Sequence, residues 1–89
     1  MTFTTKEEAV NAMRQCETLE RQMRSLRPGP ALDHLEDQYG ALLDAIEEYY
    51  TTPEQRARLD NIPGDAEAIC DIALRWGLDP DFVQFMYAI

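Results

Sequence analysis

This 89-residue sequence is poor in the residues that metal and enzyme chemistry usually require. It has one histidine, His34, and two widely separated cysteines, Cys16 and Cys70. A zinc centre needs about four closely placed nitrogen, sulfur or carboxylate ligands, and the di-metal carboxylate bundles carry a Glu-x-x-His motif; His34 has no glutamate three residues before it. No glycine-rich phosphate loop is present. Without a convergent set of acid, base and nucleophile, no catalytic residue, metal or cofactor is expected. The chain also lacks any apolar run near the ~18 residues that a membrane span requires. Its start, Met1-Thr2-Phe3-Thr4-Thr5-Lys6-Glu7-Glu8, lacks the basic-then-apolar order of a signal peptide. A cytoplasmic location is therefore expected, where disulfides are rare. Both cysteines fall at apolar positions of helical patterns and are expected as buried thiols.

What the chain does have is negative charge, −9 in all, unevenly placed. Residues 1–30 carry five basic and four acidic groups, and residues 51–62 balance. Residues 31–50 carry six acids, Asp33, Glu36, Asp37, Asp44, Glu47 and Glu48, with no lysine or arginine; residues 63–89 carry five acids against Arg75 alone. Phosphate backbones are repelled by such segments, which excludes direct nucleic-acid binding there, and basic protein surfaces are attracted.

The apolar pattern is helical throughout. Thr4 and Thr5 precede Glu7 and Glu8 at capping-box spacing, and Ala9, Ala12, Cys16, Leu19, Met23 and Leu26 then alternate in steps of three and four. This predicts a helix from about Thr5 to Arg27, with Glu17–Arg21 and Glu20–Arg24 as (i, i+4) pairs on its outer side. Pro28-Gly29-Pro30 stops it. A second seam, Leu32, Leu35, Tyr39, Leu42, Ile46 and Tyr49, predicts a helix from about Ala31 to Tyr50. Met13, Leu43 and Tyr50 widen the two stripes. Matched seams across a short turn favour an antiparallel hairpin. Beyond it, Thr52-Pro53-Glu54-Gln55 opens a short helix that Asn61-Ile62-Pro63-Gly64 ends. Asp65 caps a helix through Trp76 with Gly77 as its left-handed C-cap, and Asp79-Pro80 caps a last one carrying Phe82, Val83, Phe85, Met86, Tyr87 and Ile89, an apolar end expected to dock. The fold class expected is all-α, a single domain over 1–89. It comprises a long hairpin at 5–50, a short helix at 52–61 and a helix-turn-helix-like corner at 65–89, packed as a small helical bundle.

Two segments invite a functional reading. On the second helix Asp33, Asp37, Asp44 and Glu48 recur at four, seven and four, with Glu36 and Glu47 beside them. Such a row of carboxylates, neighbours ~6 Å apart, can occupy a basic groove built for DNA or RNA. The blander reading is the solvent face of an amphipathic helix, but ordinary exposed faces mix signs to relieve repulsion. The second segment, 72–86, fits helix-turn-helix spacing, with Ala73, Gly77 and Val83 in register and Ile72, Trp76, Leu78 and Met86 filling apolar positions. Its exposed positions would be Asp79, Asp81, Gln84, Phe85 and Ala88, none basic, so a DNA-reading role is disfavoured and a steep helix corner is expected. Trp76, Tyr49, Tyr50, Phe82, Phe85 and Tyr87 are core by default, or interface anchors where several are exposed together.

Over residues 5–59 the layout resembles small phage counter-defence proteins, nearest in pattern to the Gam-like host-nuclease inhibitors. The matching stretches are Glu7-Glu8-Ala9 with Leu19-Glu20-Arg21-Gln22-Met23 on the first helix and Ile46-Glu47-Glu48-Tyr49-Tyr50 on the second. Anti-CRISPR proteins are similar in size and acidity. The resemblance implies inhibition by occupying a nucleic-acid-binding surface, in the host cytoplasm if the chain is phage-encoded. The function expected is thus a non-enzymatic DNA mimic whose partner is a bacterial defence or nuclease protein with a basic surface. Asp33, Glu36, Asp37, Asp44, Glu47 and Glu48 would be its contact residues. The alternative is a structural or assembly protein, a homodimeric bundle or a phage assembly chaperone, binding through its apolar seams.

Overall fold

The computed structural model describes residues 2–87. Its described residues form five α-helices and no strand: α1 (Lys6–Arg24), α2 (Pro30–Tyr50), α3 (Pro53–Asp60), α4 (Ala66–Arg75) and α5 (Pro80–Tyr87). The all-α fold class is therefore correct. Backbone contacts gather into two compact units, Met1–Tyr49 and Tyr50–Ile89. The expectations placed on Ala88 and Ile89 lie outside the described residues.

The first unit is the hairpin. Thr5 is the N-cap of α1, its hydroxyl accepting from the Glu8 amide at 3.3 Å. The reciprocal half of the expected capping box shifts one residue earlier: the Glu8 carboxylate accepts from the Thr4 backbone N–H at 3.5 Å and from the Thr4 hydroxyl at 2.9 Å. The helix then stops at Arg24, short of the expected Arg27. Pro28 disfavours helical backbone in the residue before it, and Ser25 closes the last turn, its hydroxyl donating to the Gln22 carbonyl at 2.9 Å. Leu26 thereby leaves the seam and is exposed. Gly29 supplies the first carbonyl of α2, accepting from Asp33 N at 3.0 Å, and Pro30 takes the first helical position, where its missing N–H costs nothing.

The two helices run antiparallel. Tyr39 of α2 donates to Glu20 of α1 across 19 residues of sequence, and Gln15 and Leu19 line a common groove with Gln38, Ala41 and Leu42. The seam is unevenly dry. Ala9, Ala12, Met13 and Cys16 on α1 and Leu42, Ala45 and Ile46 on α2, all in the halves far from the turn, are buried. Leu19, Met23, Leu32, Leu35 and Tyr39, nearer the turn, are only half-buried. The ion pairs expected on the outer side of α1 are not formed: Glu20 bonds Tyr39, and the Arg21 guanidinium lies 3.5 Å from the Thr18 hydroxyl. The (i, i+4) pairs seen are Glu54–Arg58 and Asp71–Arg75.

The second unit is built from strong local signals. Thr52 and Gln55 make a full capping box at the start of α3, and Asp65 caps α4 by accepting from Ala68 N at 3.1 Å. The end of α4 is a Schellman motif: Leu78 N donates to the Ala73 carbonyl, Gly77 N donates to that of Leu74, and Gly77 sits at φ +81. Leu78 and Ala73, which that motif brings together, are both buried. Phe82 and Val83 of α5 are buried with them, and Tyr50 stacks on Phe82 with ring centroids 4.9 Å apart. Burying rings and branched chains of this kind stabilises by roughly 1.5–3 kcal/mol each. Trp76 does not fill the corner as expected. It is the C-cap of α4 and 37% exposed, and Leu74 is 47% exposed.

Candidate functional site

The face of α2 that carries charge is set by the face that does not. Leu42, Ala45 and Ile46 point inward. At 3.6 residues per turn the six acids then fall within about 120° of arc on the opposite side. Asp33, Glu36, Asp37, Asp44 and Glu48 are exposed, and Glu47 is half-buried. All six expected contact residues thus share one helix face, with Glu47 at its inner margin.

Their arrangement is more regular than a row. Asp33, Glu36 and Asp37 form one triad, and Asp44, Glu47 and Glu48 repeat it eleven residues later. Eleven residues advance a helix by about 16 Å and turn it by only about 20° beyond three full turns. The two triads are therefore near-superposable along the axis. Between them, in the same arc, stands Gly40, around which an added Cβ would meet nothing within 4 Å. The glycine has no packing reason inside the protein, and in a helix interior it costs ~1 kcal/mol relative to alanine. The face is two acidic ridges separated by a bare saddle.

Among the described residues, Asp33, Glu36, Asp37, Asp44 and Glu48 form no ion pair, and no lysine or arginine lies between Arg27 and Arg56. Asp33–Asp37 and Asp44–Glu48 are like-charge (i, i+4) neighbours, each destabilising by roughly 0.2–0.5 kcal/mol. Glu48 also stands in the last turn of α2, which has no basic residue, where a negative charge opposes the helix dipole. Asp33, in the first turn, stands at the favourable end of the same dipole.

Other chemistry-bearing groups lie apart from this face. His34 is exposed, its Nε2 3.3 Å from Gln38 Nε2. Both cysteines are free and buried. Burial first, and then the charges of Glu20 and Glu17, push the Cys16 thiol up to about 11, and burial raises Cys70 in the same direction. Both shifts favour the protonated thiol over the nucleophilic thiolate. Among the described residues no three His, Cys, Asp or Glu side chains are grouped to hold a metal ion, and no helix is long and apolar enough to cross a membrane. The groove beside the face, lined by Gln15, Leu19, Gln38, Ala41 and Leu42, was not foreseen from the sequence. Its signal was the small residue Ala41, set between the seam and the acids. No family model, curated protein or solved structure matches the chain.

Proposed function

We propose that this chain is a non-enzymatic binding protein that inhibits a nucleic-acid-processing partner by laying the acidic face of α2 into the partner's basic, nucleic-acid-binding surface. The observation that carries this reading is the set of five exposed carboxylates on one arc with no cation inside the fold to neutralise them. A face kept only for solubility is better served by mixed signs, which remove the repulsion at no loss of hydration. A uniformly negative ridge is an asset where lysines and arginines arrive from outside, since complementary charge steers encounter and fixes register. The twin triads suit two basic clusters about 16 Å apart, and the Gly40 saddle lets the partner's surface come close between them. A bacterial defence or nuclease protein has a surface of this kind, as the resemblance of α1 and α2 to phage counter-defence proteins also suggests.

The test is the simultaneous reversal of Asp33, Asp37, Asp44 and Glu48 to lysine. Bacterial lysate proteins would be captured on wild-type and variant chains at low and high salt and identified by mass spectrometry, with duplex DNA added as competitor. The expected result is capture of a nucleic-acid-binding protein by the wild type, lost at high salt, displaced by DNA and absent with the variant. Equal capture by a variant whose helical circular dichroism is unchanged overturns the reading.

A second reading, self-association or assembly through apolar surface, is favoured by the exposure of Leu26, Leu74 and Trp76 and by the half-buried turn end of the hairpin seam. Light scattering tests it: a dimer that persists at high salt supports it, and a monomer does not.

A further inference from the structure

The groove between α1 and α2 bears on what part of a partner reaches the acidic face. Its floor is apolar, with Leu42 buried and Leu19 half-buried, and its rims are Gln15 on α1 and Gln38 with Ala41 on α2. Its volume of about 280 Å³ falls just below the ~300–1,000 Å³ of pockets that enclose a small molecule.

The two rims differ in charge. Ala41 shares its helix face with Asp37, Asp44 and Glu48, at one turn before it and one and two turns after it. Gln15 shares its face with Asn11, Thr18 and Gln22 at the same spacings, and with Glu8 two turns before it. One wall of the groove therefore carries three carboxylates and the other a single one, Glu8, at its far end. The small side chain at Ala41 leaves the apolar floor and the acidic ridge adjacent at its own level, with Gln38 standing on the rim one turn before it.

From this we infer that the groove is a docking site for a basic amphipathic helix of the partner protein, its apolar ridge seated on Leu19, Ala41 and Leu42 and its lysines or arginines on Asp37, Asp44 and Glu48. Helices recognise such grooves by apolar anchors spaced three and four residues apart. The asymmetry of the rims fixes which flank of the guest carries the charge, and with it the direction in which the guest lies. This inference rests on the reading of the α2 face as a protein-docking surface and adds the apolar half of the contact.

Two synthetic peptides of about five turns test it by fluorescence anisotropy against the full chain. One has leucines on one helical stripe and lysines along a single flank; the other is a scrambled isomer of identical composition and charge with no stripe. The variants are Ala41→Phe, which fills the groove at an exposed position, and the triple neutralisation Asp37→Asn, Asp44→Asn and Glu48→Gln. Both keep the fold, as thermal melts followed by circular dichroism would verify. The amphipathic peptide is expected to bind wild type at least ~10-fold more tightly than its isomer, with Ala41→Phe removing most of that difference. The neutralised variant is expected to bind both peptides more weakly. Equal binding of the two peptides, unaltered by Ala41→Phe but lost on neutralisation, overturns the groove inference and leaves the acidic-face reading standing. Preference for the amphipathic peptide that survives neutralisation overturns the charged half of the contact, and the acidic-face reading with it.

Discussion

Tyr39 donates a hydrogen bond to Glu20 across the hairpin, Oη to Oε1 at 2.6 Å, joining residues 19 apart in sequence. It ties α1 to α2 where the seam is only half-buried, so a directional bond supplements apolar contact there. The accepting carboxylate stabilises the protonated phenol. Together with burial and the charge of Glu20, that bond pushes the Tyr39 hydroxyl up from 10 to about 12.

The sign of the pH dependence follows. A group whose pKa is raised on folding holds its proton more tightly in the native state, so its contribution is fully present below pH 10 and fades as pH climbs toward 12. Tyr39→Phe is expected to lower stability by ~1 kcal/mol, as read from urea midpoints at neutral pH. It should also delete the tyrosinate absorbance step near pH 12. A wild-type titration with no step above pH 11 would contradict the bond.

Two glycines should respond in opposite directions. Gly40 lies in the interior of α2, where an added methyl meets nothing within 4 Å, so Gly40→Ala is expected to stabilise by about 1 kcal/mol. Gly77 also has open space around it, but its φ of +81 places it in the left-handed region. Gly77→Ala should destabilise by roughly 1–2 kcal/mol through backbone strain alone. Denaturant midpoints at constant slope would show both.

Neutralising the acidic face should separate stability from binding. Asp44→Asn and Glu48→Gln each relieve a like-charge neighbour, and the latter also an unfavourable helix-end charge. Each is expected to raise stability by a few tenths of a kcal/mol while weakening capture by a basic partner. Added salt should stabilise wild type more than the double variant, because it screens the same repulsion. Equal salt responses of the melting temperature would show that the carboxylates do not repel one another measurably.

The local devices were legible in the sequence because each depends on residues within about one turn of one another. The Thr52–Gln55 box, the Asp65 cap and the Gly77 turn all form as their residue types dictate. The acidic face was equally readable, since helical periodicity alone puts the six carboxylates on one arc. The misreadings came from influences beyond that range. The seam pattern carried α1 on to Arg27, while the constraint of Pro28 ended it sooner and exposed Leu26. Hydrophobicity assigned Trp76 to the corner, whereas in the fold it is the exposed C-cap of α4.

Sequence by itself thus determined five helices, their caps and the one-sided charge of α2, all consequences of side-chain periodicity and local hydrogen bonding. Tertiary structure decided what periodicity cannot: that Glu20 serves Tyr39 rather than Arg24, that the seam is dry only in its turn-distal half, and that Ala41 opens a groove against the carboxylates. Each of these depends on which side chains face one another across two helices, and that is set by the register of the hairpin and not by the order of residues within either helix of it.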